Sequence, residues 1–454
     1  MTAVRKVLGL ASVVLTTWLW APKPAEACGG CFVPPEANTL VTGHRMVLSV
    51  SKTQSTLYDQ ITYTGEPDEF AWVLPTKGIV QVGLSSDLVF NQLDFDTALT
   101  VLPPPSNCPV YNCGDYANEG NVSASSGTGG ASDGGVDVIA QEVVGPYETV
   151  QLASNDPAAL NDWLASHGYS IPSDIQPIIT SYVNNGFNFL AMRLVPGVGI
   201  DSMKPVRITT QGASPVLPLK MVAAGTGANT TITLYVVGEG RYEPTNFPSF
   251  EIAPEAVIWD YNVQDSNYTK LRQQAYDATN GFGWLIEAAR PYSASSFRAN
   301  ILNVVSFLGP VESGYADDPA DYEGAELAAN EDMDALFAGI NEMSASITRM
   351  RAELSRPALG SDLLMRAADD QAEVSNVIQT KQWVGTQPPC APMPPGCDDP
   401  NISYPNGPPN DRDDDPNQSS SCAVNTHPRD ALGATALGTF AILAMLWFRR
   451  RRSQ

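Results

Sequence analysis

The stretch HRMVLSVSKTQSTLYDQITYT, residues 44–64, decides the first half of the fold. Residues 44–52 and 56–64 alternate apolar and polar side chains, which is the pattern of strands with one buried face. Glu-Pro-Asp at 66–68 marks a turn, and residues 70–75 (FAWVLP) form a compact apolar run ended by a proline. We therefore predict a β-rich section that begins with paired strands and continues with a buried one.

Helices and strands alternate in the chain beyond this section. Ser-Ser-Asp at 85–87 can cap a short helix that runs through Leu93. Asp156 and Pro157 have the residue types that start a second helix. Further patterns predict helices from 173 toward 183 and over 270–278, and strands over 147–153, 187–195, 206–210, 217–223 and 231–237.

Helical spacing of apolar residues returns in an acidic section toward the C-terminus. Leu327, Met333, Leu336 and Ile340 recur at helical intervals, and the pattern predicts one helix from Glu323 to about 353. On that helix Arg349 and Arg351 would form surface pairs beside Glu353, with an anion site as the alternative. Residues 361–374 fit either a strand or a helix.

These patterns together predict an α+β chain with a β-rich N-terminal half, a mixed middle and a helical C-terminal section. With 454 residues, 43% of them apolar, the chain can bury a sizeable core. We expect a signal peptide over 1–27, an α+β body over 28–385, a Pro/Asp-rich stalk over 386–421 and a C-terminal segment over 422–454. Within the body, the Gly/Ser-rich residues 115–137 predict a flexible loop.

The chain is strongly acidic, with a net charge of −23. Residues 1–27 carry +2 and residues 422–454 carry +4, so subtracting both from −23 leaves −29 on the rest of the chain. Such a surface repels nucleic acid and anionic lipid headgroups, and it can attract divalent cations. We therefore expect no nucleic-acid partner.

The N-terminus has the three parts of a secretory signal peptide. Arg5 and Lys6 supply the positive charge, residues 7–20 are apolar, and Ala25 and Ala27 are the small residues of a cleavage site. Cleavage after Ala27 would leave Cys28 as the first residue of the mature protein. Lipidation of Cys28 is the alternative to ordinary cleavage, although Ala25 and Glu26 are unusual residues for a lipoprotein signal.

The C-terminus combines a lone cysteine, an apolar run and an arginine cluster. Residues 431–448 carry no charge and are long enough to cross a bilayer as one transmembrane helix. Arg449, Arg450, Arg451 and Arg452 follow and would stop transfer on the cytoplasmic side. Together with Cys422 after a serine run, this pattern resembles the C-terminal sorting tag of myxobacterial surface proteins. The resemblance implies cleavage near Cys422 by the sorting machinery and modification of that cysteine.

Six of the seven cysteines lie in close pairs, which favours disulfides in an exported protein. The pairs are Cys28/Cys31, Cys108/Cys113 and Cys390/Cys397. Pairing within each pair is the simplest connectivity, and cross-pairing such as Cys28 with Cys108 stays open. Cys28-Gly-Gly-Cys31 also has the spacing of a redox dithiol, and two of the pairs together could supply four zinc ligands.

Residues 386–421 are rich in proline, aspartate and asparagine, which is typical of an extended stalk. Within the stalk, Asp411, Asp413 and Asp415 crowd oxygen ligands as a calcium loop does, and they are the candidates for weak Ca²⁺ binding. The glycine and glutamate of an EF-hand loop are missing there. Otherwise we expect no cofactor.

The chain resembles a family of exported bacterial proteins defined by domain of unknown function 2330. The resemblance rests on CGGCF at 28–32, the paired strands, EFAWVLP at 69–75, DPAALNDWLASHGY at 156–169 and ITRMRAELSRPAL at 347–359. It spans most of residues 28–385. It implies the architecture and the export of the chain but brings no chemistry, because that family has no established activity.

The sequence contains no recognisable catalytic constellation. None of His44, His167 and His427 accompanies a nucleophile motif, and no phosphate-binding or metalloprotease motif is present. We therefore predict a cell-surface or envelope-anchored exported protein, held by its C-terminal helix or a modified Cys422, that acts as a non-enzymatic binding or structural module. The alternatives are an exported carboxylate-dependent hydrolase and a periplasmic thiol/disulfide protein. The ligand stays open.

Overall fold

The computed structural model describes residues 31–392, apart from 33–39, 65–70, 107, 109–140, 153–156, 167–170, 172, 174, 199–201, 224–225 and 391. Seven α-helices lie in these ranges: α1 (Asp87–Thr97), α2 (Pro157–Ser166), α3 (Gln176–Asn184), α4 (Leu219–Val222), α5 (Tyr268–Ala278), α6 (Ala294–Leu308) and α7 (Tyr322–Phe337). Short 3-10 helices span Pro254–Ala256 and Arg356–Gly360.

The strands in the first half of the described chain are β1 (Cys31–Phe32), β2 (Leu40–Val50), β3 (Gln54–Thr64), β4 (Ala71–Thr76), β5 (Gln81–Leu84), β6 (Thr100–Leu102), β7 (Gln141–Val144), β8 (Tyr147–Leu152), β9 (Asn188–Leu194), β10 (Val206–Gln211) and β11 (Val216–Leu217). Those in the second half are β12 (Thr226–Glu239), β13 (Tyr242–Pro244), β14 (Ser249–Phe250), β15 (Ile258–Asp260), β16 (Asp265–Ser266), β17 (Trp284–Pro291), β18 (Ala345–Ser355), β19 (Leu363–Ala367), β20 (Val377–Gln379) and β21 (Gln382–Val384).

Two large sheets organise the described residues. The main sheet has eight strands in the order β14-β17-β18-β12-β2-β3-β10-β5, and the second sheet has five in the order β1-β4-β9-β8-β7. The main sheet is mixed, because β12 runs parallel to β2 and β14 runs parallel to β17 while its other neighbours are antiparallel. The hairpin predicted from residues 44–64 is confirmed as β2 and β3, which lie near the middle of this sheet.

The two sheets pack face to face over one apolar layer. Trp72, Leu190 and Met192 of the second sheet meet Val206 and Ile208 of the main sheet there. Burying side chains of this size stabilises the fold by about 1.5–3 kcal/mol each. The sheet-on-sheet contact therefore fixes how the ends of β4 and β10 approach one another.

Helices cover the outer faces of both sheets. Helices α1, α6 and α7 pack on the main sheet around Phe90, Phe297 and Met333, and α2 and α3 pack on the second sheet through Leu164 and Ile179. The four layers are helices, main sheet, second sheet and helices. The predicted α+β class is thus confirmed.

The helix predicted over 323–353 is wrong beyond its first half. Helix α7 ends at Phe337, and Gly339 follows with a φ of 69° that L-residues rarely adopt. The chain then forms β18, a strand between β12 and β17. Met350, Ala352 and Leu354 lie in one apolar core of the main sheet, so this stretch has a period of two.

Two further stretches differ from the sequence prediction. The strand expected over 217–223 is reduced to β11, because Pro218 precedes the short helix α4. Residues 361–374, which fit either type, contain the strand β19. The sequence patterns above also predict neither β17 nor α6. Trp284 on β17 and Phe297 on α6 are almost fully buried in the core.

A disulfide joins Cys108 to Cys390, which are 282 residues apart in the chain. The local pairings that would have been simplest, Cys108 with Cys113 and Cys390 with Cys397, are therefore not the ones formed. The bridge lies beside the parallel pair β6 and β20, which brings the two segments together. Tertiary pairing of strands, not sequence distance, selects these partners.

Candidate functional site

An open groove lies where the main sheet, the second sheet and the segment before α4 meet. Its cavity is about 60 Å³, and Leu48, Leu57, Leu74 and Ile208 form its apolar floor. We call this cavity the inter-sheet groove. Most of its lining residues come from β2, β3 and β10 of the main sheet, from β4 of the second sheet and from the segment before α4.

The rim of the inter-sheet groove carries polar groups that the protein leaves unengaged. Lys77 follows β4, Thr210 lies on β10 and Ser214 lies in the turn before β11, and all three line the cavity. Among the residues that the structure describes, Lys77 forms no ion pair, and the hydroxyls of Thr210 and Ser214 form no hydrogen bond. These groups can therefore bind a ligand without first breaking an ion pair or a hydrogen bond within the described part of the chain.

The strand register explains the position of Lys77. Thr76 pairs with Asn188 at the end of the β4–β9 ladder. Lys77, which follows Thr76, and Phe187, which precedes Asn188, therefore lie side by side at that end. The ammonium group of Lys77 accordingly lies 5.2 Å from the ring centroid of Phe187. Such a contact orients a cation without neutralising it.

A second lysine lies against the same aromatic cluster. The rings of Phe187 and Tyr182 meet edge to face at 5.1 Å, and Lys220 Nζ lies 4.6 Å from the centroid of the Tyr182 ring. Asp362, another lining residue, accepts hydrogen bonds from the Tyr182 hydroxyl and the Lys220 backbone N–H, and its second oxygen lies 3.4 Å from Lys220 Nζ. Burial and the neighbouring Asp362 raise the pKa of Tyr182, which keeps it a donor.

A smaller cavity continues from the groove into the protein. It is about 10 Å³, shares Leu57, Leu74 and Pro218 with the groove, and is lined by Asp59 and Trp72 at its inner end. A volume of this size holds about one water-sized group. Most of the residues that line this smaller cavity are apolar, and Asp59 is the charged residue among them.

His44 and Asp59 form a buried pair next to this inner cavity. Nδ1 of His44 lies 3.0 and 3.2 Å from the two Asp59 oxygens, and the side chains are 0% and 2% exposed. The hydrogen bond between them is shared by Nδ1 and the carboxyl group of Asp59. Nε2 has no hydrogen-bond partner in the described part of the chain. Such a pair could orient a base, but it presents no nucleophile by itself.

A cluster of charges ties α1 to the main sheet. Arg349 donates to Glu287 at 2.7 Å and to Asp94 at 2.6 Å, and Arg45 donates to the other oxygen of Asp94 at 2.6 Å. Burial would raise the pKa of Asp94, but Arg349, the Tyr235 hydroxyl and Arg45 together outweigh it and lower the pKa. Arg349 was predicted on a helical surface, and this is wrong because it lies on β18 and is almost fully buried.

A second charged cluster ties α7 to the main sheet. Asp332 is fully buried and accepts hydrogen bonds from Ser85, Tyr315 and Arg207. Burial raises its pKa to about 6, although these donors oppose the shift. Since each carboxylate oxygen already has partners, the geometry gives Asp332 a structural role.

Most of the residues that the sequence indicates for processing, anchoring, disulfides or calcium lie outside the described residues. They are Ala27, Cys28, Cys113, Cys397, Asp411, Asp413, Asp415, Cys422, and Arg449 to Arg452. Cys31 lies on β1, in register with Trp72. Within the described ranges, no cluster of three or more His, Cys, Asp or Glu side chains has the geometry to hold a metal ion.

The predicted transmembrane run 431–448 also lies outside the described residues. None of the helices in the described part of the chain combines the length and the apolar character that crossing a membrane requires. The prediction of a C-terminal transmembrane helix therefore stays a prediction.

Sequence reasoning missed the inter-sheet groove entirely. Lys77, Thr210 and Ser214 are far apart in the chain and lie in no recognised motif. The only local signal is that each lies at or just beyond the end of a strand, where loops tend to carry binding residues.

Three comparisons relate the chain to known proteins. A family model described as an uncharacterized protein conserved in bacteria (DUF2330) matches residues 22–362. Among solved structures, the crystal structure of baculovirus P35 matches with a TM-score of 0.25 and 11% identity, over 46% of this chain and 68% of that chain. No curated protein matches the chain.

Proposed function

This chain belongs to the DUF2330 family of uncharacterized bacterial proteins, and from that premise we propose that it is an exported, envelope-anchored binding module. The inter-sheet groove is the proposed binding site. The observation that carries the proposal is the set of unengaged polar groups of Lys77, Thr210 and Ser214 at the mouth of an apolar cavity. Ligand sites typically combine an apolar lining with a few such polar groups.

The role of the buried charges supports binding over hydrolysis. The carboxylates of Asp94, Glu287 and Asp332 all accept short hydrogen bonds from arginines or hydroxyls that join different elements. A hydrolytic acid or base needs an oxygen that can reach the substrate. These carboxylates hold α1 and α7 in place instead.

Export is supported by the cysteines. A bridge such as Cys108–Cys390 is typical of an oxidising compartment, to which the signal peptide predicted over 1–27 would direct the chain. Anchoring is supported by the sequence alone, through Cys422, the apolar run 431–448 and the arginines after it. The resemblance to a myxobacterial sorting tag makes Cys422 the proposed site of processing and modification.

Export is tested by recovering the protein from the envelope fraction of its native cells and measuring its intact mass. We expect a mature chain that begins at Cys28, carries disulfides and has a modified or membrane-embedded C-terminus. The mass also separates lipidation of Cys28 from ordinary cleavage. Recovery from the cytosol with Met1 attached and all thiols free would overturn the proposal.

Binding is tested by filling the groove. Ser214→Trp places a large ring in the cavity, while Ser295→Trp places the same ring at an exposed position of α6 and is the matched control. A panel of small acids, amino acids, sugars and short peptides is screened by thermal shift. We expect at least one class to stabilise the wild type and the control but not the filled variant. If no class distinguishes the two variants, the groove is not a binding site.

A further inference from the structure

We infer that the inter-sheet groove binds a small monocarboxylate with a short apolar tail, which rests on the proposed function and names its ligand class. In this arrangement the carboxylate lies at the rim, against Lys77, and the tail points toward the inner cavity. Three features of the groove support this assignment: the charge at its rim, its free hydroxyl donors and the shape of its apolar interior.

The first feature is a local excess of positive charge. The chain carries a net charge of −23, yet the ionisable residues that line the groove are Lys77 and Asp362, with Lys220 beside Asp362. Asp59 lines the smaller cavity and is paired there with His44. Lys220 and Asp362 lie 3.4 Å apart and offset one another, while Lys77 has no ion-pair partner among the described residues. One cation is therefore left for a ligand, which favours a single negative charge over a neutral or a doubly charged head group.

The second feature is a pair of hydroxyl donors beside that cation. Thr210 and Ser214 line the groove half-buried, with hydroxyls that make no hydrogen bond in the described structure. Ser55 also lines the groove, but its hydroxyl already donates to the Gly212 carbonyl and accepts from the Ser214 N–H. A carboxylate offers about four acceptor positions, so one ammonium group and two hydroxyls suit it.

The third feature is the size and polarity of the interior. The cavity of about 60 Å³ holds about four to six water-sized groups. Its floor is aliphatic, and Pro218 is shared with the smaller cavity, which Trp72 and Met221 line together with the buried Asp59. A sugar ring would leave its hydroxyl groups unpaired on such a floor, whereas a short branched hydrocarbon tail fits it.

The assignment is tested by saturation-transfer NMR with isovalerate on the oxidised full-length protein, in which the Cys108–Cys390 bridge is intact. Isovaleramide has the same tail without the charge and is the matched probe. We expect isovalerate to bind at least about tenfold more tightly than isovaleramide, because a hydrogen bond to a charged group is lost with the amide. The methyl protons of isovalerate should receive saturation from the protein, because the proposed site holds the tail against the apolar lining of the groove.

Lys77→Met removes the cation and keeps the length of the side chain. We expect it to weaken isovalerate about tenfold and to leave isovaleramide unchanged. Lys270→Met, at an exposed position of α5, is the matched control and should leave both affinities unchanged. Ser214→Ala tests the hydroxyl donor in a second variant and should weaken isovalerate about fivefold.

Two results would overturn the assignment. One is equal binding of the acid and the amide, and the other is binding of isovalerate that Lys77→Met and Ser214→Ala both leave unaltered. If sugars or peptides stabilise the protein in the panel above while isovalerate does not bind, the ligand class is wrong and the binding function stands. If no compound in that panel distinguishes Ser214→Trp from its control, the proposed function and the ligand assignment both fail.

Discussion

Asp332 shows how one buried carboxylate makes the stability of this protein depend on pH. Its pKa is about 6 in the folded protein and 3.8 for the unperturbed group, because burial penalises the charged form more than Arg207 and two hydroxyls stabilise it. A folded pKa above the unfolded one means that the contribution of Asp332 to stability is fully present below pH 3.8 and is lost as the pH rises through 6. The difference of about two pKa units corresponds to about 3 kcal/mol.

Asp332→Asn should remove this dependence. We expect the wild type to lose up to about 3 kcal/mol of unfolding free energy between about pH 4 and pH 7 at this site, and the variant to lose correspondingly less. Urea unfolding at several pH values measures the difference. Asp334→Asn is the control, since Asp334 is 70% exposed in its pair with Arg298. Parallel pH profiles for the wild type and Asp332→Asn would contradict the assignment.

Arg349 illustrates why residue type alone misplaces a charge. Its alternation with Arg351 and Glu353 in the sequence predicts surface ion pairs. In the structure its guanidinium lies among Glu287, Asp94 and the Tyr235 hydroxyl. Five donors in a fixed fork allow one arginine to satisfy several acceptors at once, so burial becomes tolerable.

At the scale of elements, Gly339 decides where helix ends and strand begins. Its φ of 69° is left-handed, and a Cβ there would lie 2.3 Å from the Thr53 hydroxyl and 2.7 Å from the Ser51 hydroxyl. The turn at Gly339 therefore lets the chain leave α7 and enter β18 close to the β2–β3 hairpin. A Cβ at Gly339 would therefore force the Thr53 and Ser51 side chains to move, in addition to straining the backbone.

Gly339→Ala should destabilise the protein by about 1–3 kcal/mol, because the left-handed backbone and the close contacts both resist a Cβ. Gly360→Ala is the matched control, since a Cβ at Gly360 would have no atom within 4 Å. Chemical unfolding of both variants measures the difference. A Gly339→Ala variant as stable as the control would show that the turn adjusts freely.

The strand β18, which lies within the predicted helix, shows where the spacing of apolar residues fails to predict secondary structure. Leu336, Ile340 and Ile347 keep helical spacing across the break at Gly339, so the helical pattern runs on past the true end of α7. Strand pairing overrides it, because β18 hydrogen-bonds to β12 along eleven residues and to β17 on its other side. Long-range pairing cannot be read from a local window.

For the whole molecule, the Cys108–Cys390 bridge links the segment after β6 to the last described residues. It closes a loop of 282 residues. Cross-linking a loop of that length removes much of the conformational freedom of the unfolded chain. The bridge therefore stabilises the described residues as a unit.

Cys390→Ser should lower the unfolding free energy of the oxidised protein by about 3–5 kcal/mol. Thermal unfolding with and without a reductant measures the effect, and the variant should no longer respond to reduction at this bridge. Peptide mapping without reduction should recover Cys108 linked to Cys390 in the wild type. A peptide that links Cys108 to Cys113 would contradict the structure.

The sequence by itself determined the α+β class, the β2–β3 hairpin, most of the strands in the first half and the membership of the DUF2330 family. These follow from local chemistry: alternation of apolar residues, helix caps such as Ser86, and prolines that end strands. The signal peptide, the stalk and the sorting tag are likewise sequence predictions. They depend only on composition along a continuous stretch.

The tertiary structure alone decided the partners of Cys108 and Arg349, the strand at 345–355 and the inter-sheet groove. Each of these depends on residues that are distant in the chain and adjacent in space. Lys77, Thr210 and Ser214 meet only because β4 and β10 belong to different sheets whose faces pack together. Packing of two sheets is a long-range property, so no local pattern could have predicted the groove.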